Sequence, residues 1–437
     1  MAQRHPFRRF ASNGMLEAFP GNHRMAIDTP AKIAIIGAGP IGLEATLYAR
    51  FLGYDVELLE SAATPCANVL RWGGTNMFTP FSLNRSSLGL AALRAQDEHY
   101  TPPEDDAFLT HAEWFAAYLQ PLAQSDLILD SLQLGTEVLE VGKVELHKAD
   151  RPRGEYDRGS WDFRLRIRTL GGDRFLTADI LLDCSGVVPQ AVGHGGLRAI
   201  GEDRLEERHL SHSFAQWRRK YSEVDANGSI LVVGEHPLAA DSISALIELK
   251  AQHSQPQISW VTRHAASDFP HGALETSEAD PYPVRRSQLV AANRAANTEQ
   301  VEWLPETWIE SVEGVGPTIE VQFSGGCEER RRFDHIIAHS GFQPRHGHLT
   351  ELAIDMCPYI SAPRAFAEAV GQRGSRLESA YPANGAEILK TSEPNYYWLG
   401  SNSFGNQPGF LYAHGLRQIR DLFTIIGDRQ ALDLYQR

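Results

Sequence analysis

From Lys32 onward the chain switches between short apolar runs and helical repeats. KIAII is a short β-branched run of the kind that forms a strand. It meets a glycine-rich turn, after which Ile41, Ala45, Tyr48 and Leu52 recur at helical spacing. Gly53 stands where a helix C-cap falls, and Val56, Leu58 and Leu59 form the next apolar run. The spacing predicts a βαβ unit. A second unit is predicted in SILVVGEHPLAADSISALIELK, with Ile230 to Val233 as strand, Gly234 as turn, and Ala240, Ile243 and Ile247 on one helix face. QISWVTR supplies its closing strand, and two such units in one chain are a duplication signal.

Between the units, THAEWFAAYLQPLAQ reads as helical, WDFRLRIRTL as part of an antiparallel ribbon and ADILLDCSG as a further strand. The same grammar returns in FDHIIAHSGFQP and YYWLGSNSFGNQPGFLYAHG, followed by a final helix through Arg417 and Leu422. No apolar run approaches the roughly 18 residues a membrane span needs, so no membrane partner is expected.

Composition narrows the function. The 437 residues suffice for two or three domains, and 42% hydrophobic with 22% charged is an ordinary globular mixture. A net charge of −14 argues against nucleic acid as a partner. The four cysteines, Cys66, Cys184, Cys327 and Cys357, are far apart and form no CxxC pair, which suits a reducing, cytoplasmic setting. Residues 1–30 carry Arg4, Arg8, Arg9 and Arg24 but no apolar core, and are expected to be a disordered extension.

The chemistry begins in GAGPIG. Gly37 permits the tight turn after the strand, and Gly39 lets backbone amides approach a pyrophosphate. Pro40 opens the helix, and Gly42 lets that helix pack closely on the sheet. The helix N-terminus then faces the phosphates. About twenty residues on, Glu60 ends the next strand, where a carboxylate accepts hydrogen bonds from a ribose and repels a 2′-phosphate. A single GxGxxG is weak, but strand, turn, helix, strand and terminal acid together are specific.

With these residues the chain resembles the two-dinucleotide-binding-domain flavoproteins, the superfamily of thioredoxin-reductase-like enzymes and flavin-containing monooxygenases, over nearly everything after residue 30. The resemblance implies FAD on the first fingerprint and NAD(P)H on the second. It implies domain crossovers at Ser185–Gly186 and Ser340–Gly341, and FAD contacts from Arg71 and Trp72 in the loop after Glu60. It also implies Val138 beside the adenine, and Gly400 with a helix starting near Gly409 over the flavin. The second fingerprint departs from the pattern: Gly234 is kept, but His236 replaces the second glycine and Ala239 the third. Arg263, ending QISWVTR, is a candidate for the 2′-phosphate of NADPH. The pair of thiols a disulfide reductase needs is missing, and the monooxygenase signature is only partly present, around His212 and Ser213. The paired histidines His335 with His339 and His346 with His348 lack a matching ligand set, so no metal is expected.

The expected fold is α/β, with two Rossmann-like dinucleotide-binding domains. The nicotinamide domain, residues 221–334, is inserted into a discontinuous FAD domain, residues 31–220 and 335–437. The expected function is an FAD-dependent oxidoreductase that takes hydride from NAD(P)H and, in monooxygenase-like fashion, oxygenates a small nucleophilic substrate. A reductase of a quinone, disulfide or small electron carrier is one alternative. An FAD-binding module with a lost nicotinamide site is the other. No catalytic side chain is nominated, and homodimerisation is left open.

Overall fold

The computed structural model describes residues 31–436 apart from 151–156, 207, 221–227, 253–254, 266, 269–272, 279, 372–384, 428 and 430–431. The expected N-terminal extension lies outside the described residues. A first sheet of five parallel strands runs in the order Tyr396–Trp398, Ile180–Asp183, Lys32–Ile36, Asp55–Leu59, Leu132–Gln133. Its central strand shows why KIAII is apolar throughout. Ile33 and Ile35 pack on Leu43, Leu47 and Tyr48 of the Pro40–Phe51 helix. Ala34 and Ile36 face the other way, onto Phe163, Leu165 and Ile167. Those three belong to the predicted ribbon, Phe163–Thr169, which pairs antiparallel with Glu137–Lys143 and Gly172–Ala178.

The second sheet repeats this plan with the strands Glu302–Leu304, Gln257–Val261, Ser229–Val233, His335–Ala338 and Leu210–Ser211, again parallel. Ile230 and Val232 pack on Ile243 and Leu246 of the Pro237–Gln252 helix. Leu231 and Val233 face the antiparallel ribbon through Ile309, Val321 and Phe333. Alternation with period two on a strand covered on both faces explains both hydrophobic runs. Truncating any of these isoleucines to alanine removes fully buried methyl groups, a change that costs about 2–5 kcal/mol.

Residues Leu210 to Ala338 build the second sheet, and the chain returns to the first at Tyr396–Trp398. Sheet membership therefore changes before residue 221 and after residue 335. The two connections between sheets run side by side, Val187–Pro189 antiparallel to Phe342–Pro344. They are tied by Gln190 N–H donating to Gly341 O (2.9 Å) and Ser340 Oγ donating to Gln190 O (2.6 Å).

The predicted helix THAEWFAAYLQPLAQ forms with a π-helical turn, Phe115–Leu119, in its middle. Pro121 cannot donate to the carbonyl of Ala117, and that oxygen instead accepts from Tyr100 Oη at 2.8 Å. Glu44, buried in the Pro40–Phe51 helix, gathers the hydroxyls of Tyr118 (2.6 Å), Tyr412 (2.6 Å) and Tyr435 (3.4 Å). This cluster fixes the C-terminal Tyr412–Ile426 helix against the first unit. Burial raises the Glu44 carboxyl above its ordinary range despite those donors.

Candidate functional site

The C-terminal ends of both parallel sheets open into one cavity of about 1490 Å³, the place where open α/β sheets bind ligands. At its first end is the GAGPIG turn. Gly37 has φ +95°, and a Cβ there would lie 2.7 Å from Cys184 O. A Cβ on Gly42 would lie 1.9 Å from Gly37 O, so the helix can approach its own turn only without a side chain. Gly39 differs: it lines the cavity, and a Cβ there meets nothing within 4 Å. Gly39 is the N-cap of the helix with no side-chain cap, and Pro40 sits at the first helical position. The opening N–H groups of a helix have no intrahelical acceptor, so they are available to an anion.

Glu60 closes this end. Its Oε2 accepts from Ala38 N–H (2.8 Å) and its Oε1 from Ala62 N–H (2.8 Å), which locks the carboxylate beside the turn. Two carboxylate oxygens offer about four acceptor sites, leaving capacity for ribose hydroxyls. Val138, with Thr136 and Glu137, continues this wall. Cys66 lies on the same wall with little exposure, its thiol pushed well up by burial and then by the Glu60 charge.

Further along, Trp72 stands 5.7 Å from Phe342 and 6.5 Å from His339 between ring centroids, with exposed Arg71 on the same wall. Arg219, in the Phe214–Lys220 helix, holds this loop: its Nη1 donates to Leu70 O (2.9 Å) and its Nη2 to Arg71 O (2.8 Å). Gly186 and Gly400 also line the cavity, whereas Gly341 lies in the crossover beside Gln190. The C-terminal helix starts at Tyr412, three residues past the expected Gly409, because Gly409 adopts φ +102° and Leu411 is the N-cap.

The second unit is built differently. Gly234, at φ +117°, is required by packing, since a Cβ would lie 2.2 Å from His339 O, and it is not on the cavity wall. His236 is on the wall, and its Nδ1 accepts from Leu238 N–H at 3.4 Å, a long contact over the helix opening. Burial, and then the Arg285 charge, hold His236 down to about 4, so the ring is neutral at pH 7. Pro237, at the first helical position, has no N–H to offer. Arg263 is off the wall. Its side chain is 75% exposed, and its guanidinium pairs with the Glu235 carboxylate, on a side chain only 9% exposed, at 3.3 Å. Glu235 also accepts from the backbone N–H groups of Arg263 and His264 and pairs with His264 Nε2 at 3.0 Å.

Several wall residues have no local signature in the sequence. Asp241 accepts from Gln288 Nε2 (2.8 Å), and burial pushes its carboxyl up to about 6. Arg285 donates to Asp280 (Nη2 to Oδ1 2.6 Å, Nε to Oδ2 2.8 Å) and lies over the rings of Tyr282 and Phe78 at 4.8 and 5.4 Å. Only the run PYPVRRSQLV hints at a helix start there. The histidines paired in sequence are separately engaged: His335 with Ser211 (2.8 Å), His339 with Ser242 (2.9 Å), His346 stacked on Trp398 (4.9 Å) and His348 with Asp183 (3.1 Å). Among the described residues no group of three or more His, Cys, Asp or Glu is disposed to hold a metal ion. Nor, among them, is any helix long and apolar enough to cross a membrane.

The residues at the first end fit a dinucleotide: a side-chain-free approach at Gly39, an uncapped helix start and a fixed carboxylate at ribose distance along the chain. In the second unit the corresponding approach is occupied. His236 lies over the helix opening, and Glu235 holds the one arginine at the strand end.

No family model matches the chain, and no curated protein matches its sequence. Solved structures do match in fold. Bacillithiol disulfide reductase Bdr from Bacillus cereus is similar at TM-score 0.61 and 13% identity, covering 92% of this chain and 99% of its own. DfoA, the FAD-bound cadaverine monooxygenase from Erwinia amylovora, is similar at TM-score 0.60 and 14% identity, covering 94% and 97%. The ornithine N-hydroxylase of Kutzneria sp. 744 is similar at TM-score 0.60 and 12% identity, covering 92% and 100%. The chain shares the fold of these solved structures.

Proposed function

We propose that this chain is an FAD-dependent oxidoreductase that takes hydride from NAD(P)H, NADPH above NADH, and oxygenates a small nucleophilic substrate with dioxygen. The observation that supports this most directly is the continuity of the cavity, from the Gly39 turn and Glu60, past Trp72, to His236, Asp241 and Arg285. FAD, when bound, supplies the redox chemistry. The chain does the rest. Gly39 and the start of the Pro40–Phe51 helix bind the phosphates, and Glu60 binds the ribose. Trp72 and Phe342, with His339 buried behind them, give the cavity an aromatic wall that would keep water from the reacting group. The N-terminal turn of the Tyr412–Ile426 helix, whose Leu411, Tyr412 and His414 reach the cavity, favours negative charge there.

A thiol relay has less support. Cys66, Cys184 and Cys327 are buried, and none of the four cysteines is paired. Burial raises the thiols of Cys66 and Cys184, which keeps both in the unreactive protonated form. The state of His236 and Glu235 favours one alternative, a flavoprotein that no longer takes a nicotinamide nucleotide. Anaerobic mixing with NADPH and with NADH, followed at the flavin absorbance, separates the two. Bleaching by NADPH supports the oxidoreductase, and no bleaching by either nucleotide supports the binding module. Admitting oxygen and measuring peroxide against oxygenated product then tests the oxygenase step.

A further inference from the structure

We infer that His348, backed by the buried carboxylate of Asp183, contacts the phosphates of the dinucleotide held by the first unit, an inference that rests on the FAD site proposed above. Asp183 ends the strand Ile180–Asp183 and is the register partner of Ile36, the residue before the Gly37 turn. The next two residues press on that turn: a Cβ on Gly37 would lie 2.7 Å from Cys184 O and 3.0 Å from Ser185 Cα. The strand end that carries Asp183 therefore packs against the turn at which the phosphates are proposed to bind.

The carboxylate is 1% exposed and fully engaged. It accepts from Ser185 N–H (3.0 Å), Tyr396 Oη (3.0 Å), Asn402 Nδ2 (3.0 Å) and His348 Nε2 (3.1 Å). Burial acts to raise this carboxyl, but the His348 hydrogen bond and charge, with the Ser185 donors, outweigh it and hold Asp183 below the usual carboxylate range. A buried carboxylate needs a compensating charge, and among the described residues its ion-pair partner is His348.

The bond to Asp183 uses Nε2, and the ring lies on the cavity wall with Ser185, Gly186, Gly400 and Ser401. A pyrophosphate at the Gly39 turn brings negative charge toward Asp183, and the His348 ring, bonded to Asp183 through Nε2, stands between the two anions with Nδ1 left for a phosphate. The other charged or titratable groups around the ring are His346 and Arg345 of its own loop, Tyr396 of the neighbouring strand and Glu137 across the cavity. None of them replaces the contact between His348 and Asp183.

The test is titration of the flavin-stripped protein with FAD, ADP and adenosine, for the wild type and His348→Gln. His348→Gln should weaken FAD and ADP alike by roughly ten- to a hundredfold and leave adenosine unmoved. Asp183→Asn should weaken FAD in the wild type but add nothing in the His348→Gln background, whereas a purely structural role would add in both. His348→Arg, which keeps a donor toward the phosphates, should retain FAD and covers the case in which glutamine disturbs the loop. Equal FAD and ADP affinities in wild type and variant overturn the inference, as does a loss confined to FAD with ADP unchanged. A wild type that binds no FAD overturns the FAD site itself.

Discussion

The two βαβ units share a plan but not a state. Each places a parallel strand, a glycine at positive φ and a helix with proline at its first position in the same order. In the first unit the carboxylate of the fingerprint, Glu60, lies across the turn and holds Ala38, which leaves Gly39 and the helix opening clear. In the second, the carboxylate belongs to the turn itself. Glu235 reaches to the end of the next strand and ties down Arg263 and His264, while His236 covers the helix opening. Strand and helix are set by hydrophobic periodicity, which both units keep; access to the helix opening is set by two turn positions, at which they differ.

The largest expected effect is Gly39→Val. The side chain points into open cavity space, so the fold and its melting temperature should hold, while FAD retention after desalting should fall by at least about a hundredfold. Retention of stoichiometric FAD would mean that the first unit is no better a cradle than the second. Next is Glu235→Ala, which should raise the rate of flavin reduction by NADPH, measured anaerobically by stopped flow, by roughly tenfold as Arg263 is released. Arg263→Ala should cancel that gain and with it any preference over NADH; a gain that survives would place the nucleotide elsewhere.

Asp241 sharpens the contrast through pH. Its carboxyl is held near about 6 by burial, so it is neutral below that pH and negative above it, facing any phosphate at the second unit. Flavin reduction by NADPH should be several-fold faster on the acid side of about pH 6 than on the alkaline side. Asp241→Asn should flatten the profile at the faster level, and a slope unchanged in that variant would remove Asp241 from the approach. The smallest effect is expected at Cys66→Ser, within a few-fold in both reduction and reoxidation, because the thiol is buried and its hydrogen bond runs only to Ala38 O. A drop on the order of a hundredfold would point instead to a reductase that works through this single thiol.

Much of the first unit is legible in sequence because its information is local. The roles of Gly37, Gly39 and Gly42 depend on a turn and the helix that follows within a few residues, and Glu60 on a strand of known length. Trp72 and Arg71 are reached only through resemblance. The contacts that decide the second unit are less visible. Arg263 reads as a phosphate ligand from its place at a strand end, but its partner Glu235 is 28 residues away and is an unremarkable position of the turn. Arg285 and Asp241 reach the cavity from two packed helices, and His348 meets Asp183 across 165 residues. Such pairings follow from tertiary packing, for which hydrophobic periodicity supplies the scaffold and no address.

The Glu235 tie also makes the second unit a competition. A nucleotide that uses Arg263 must displace a carboxylate that the chain itself supplies, so its apparent dissociation constant is the intrinsic one divided by the fraction of molecules in which the tie is open. Each 1.4 kcal/mol in the tie would weaken binding about tenfold without altering a contact in the bound state. The exchange swaps one anion on the guanidinium for another. Added salt screens the pair that is broken as well as the pair that is made, so the choice between the two nucleotides at this arginine should be far less sensitive to ionic strength than at a site whose arginine waits unpaired.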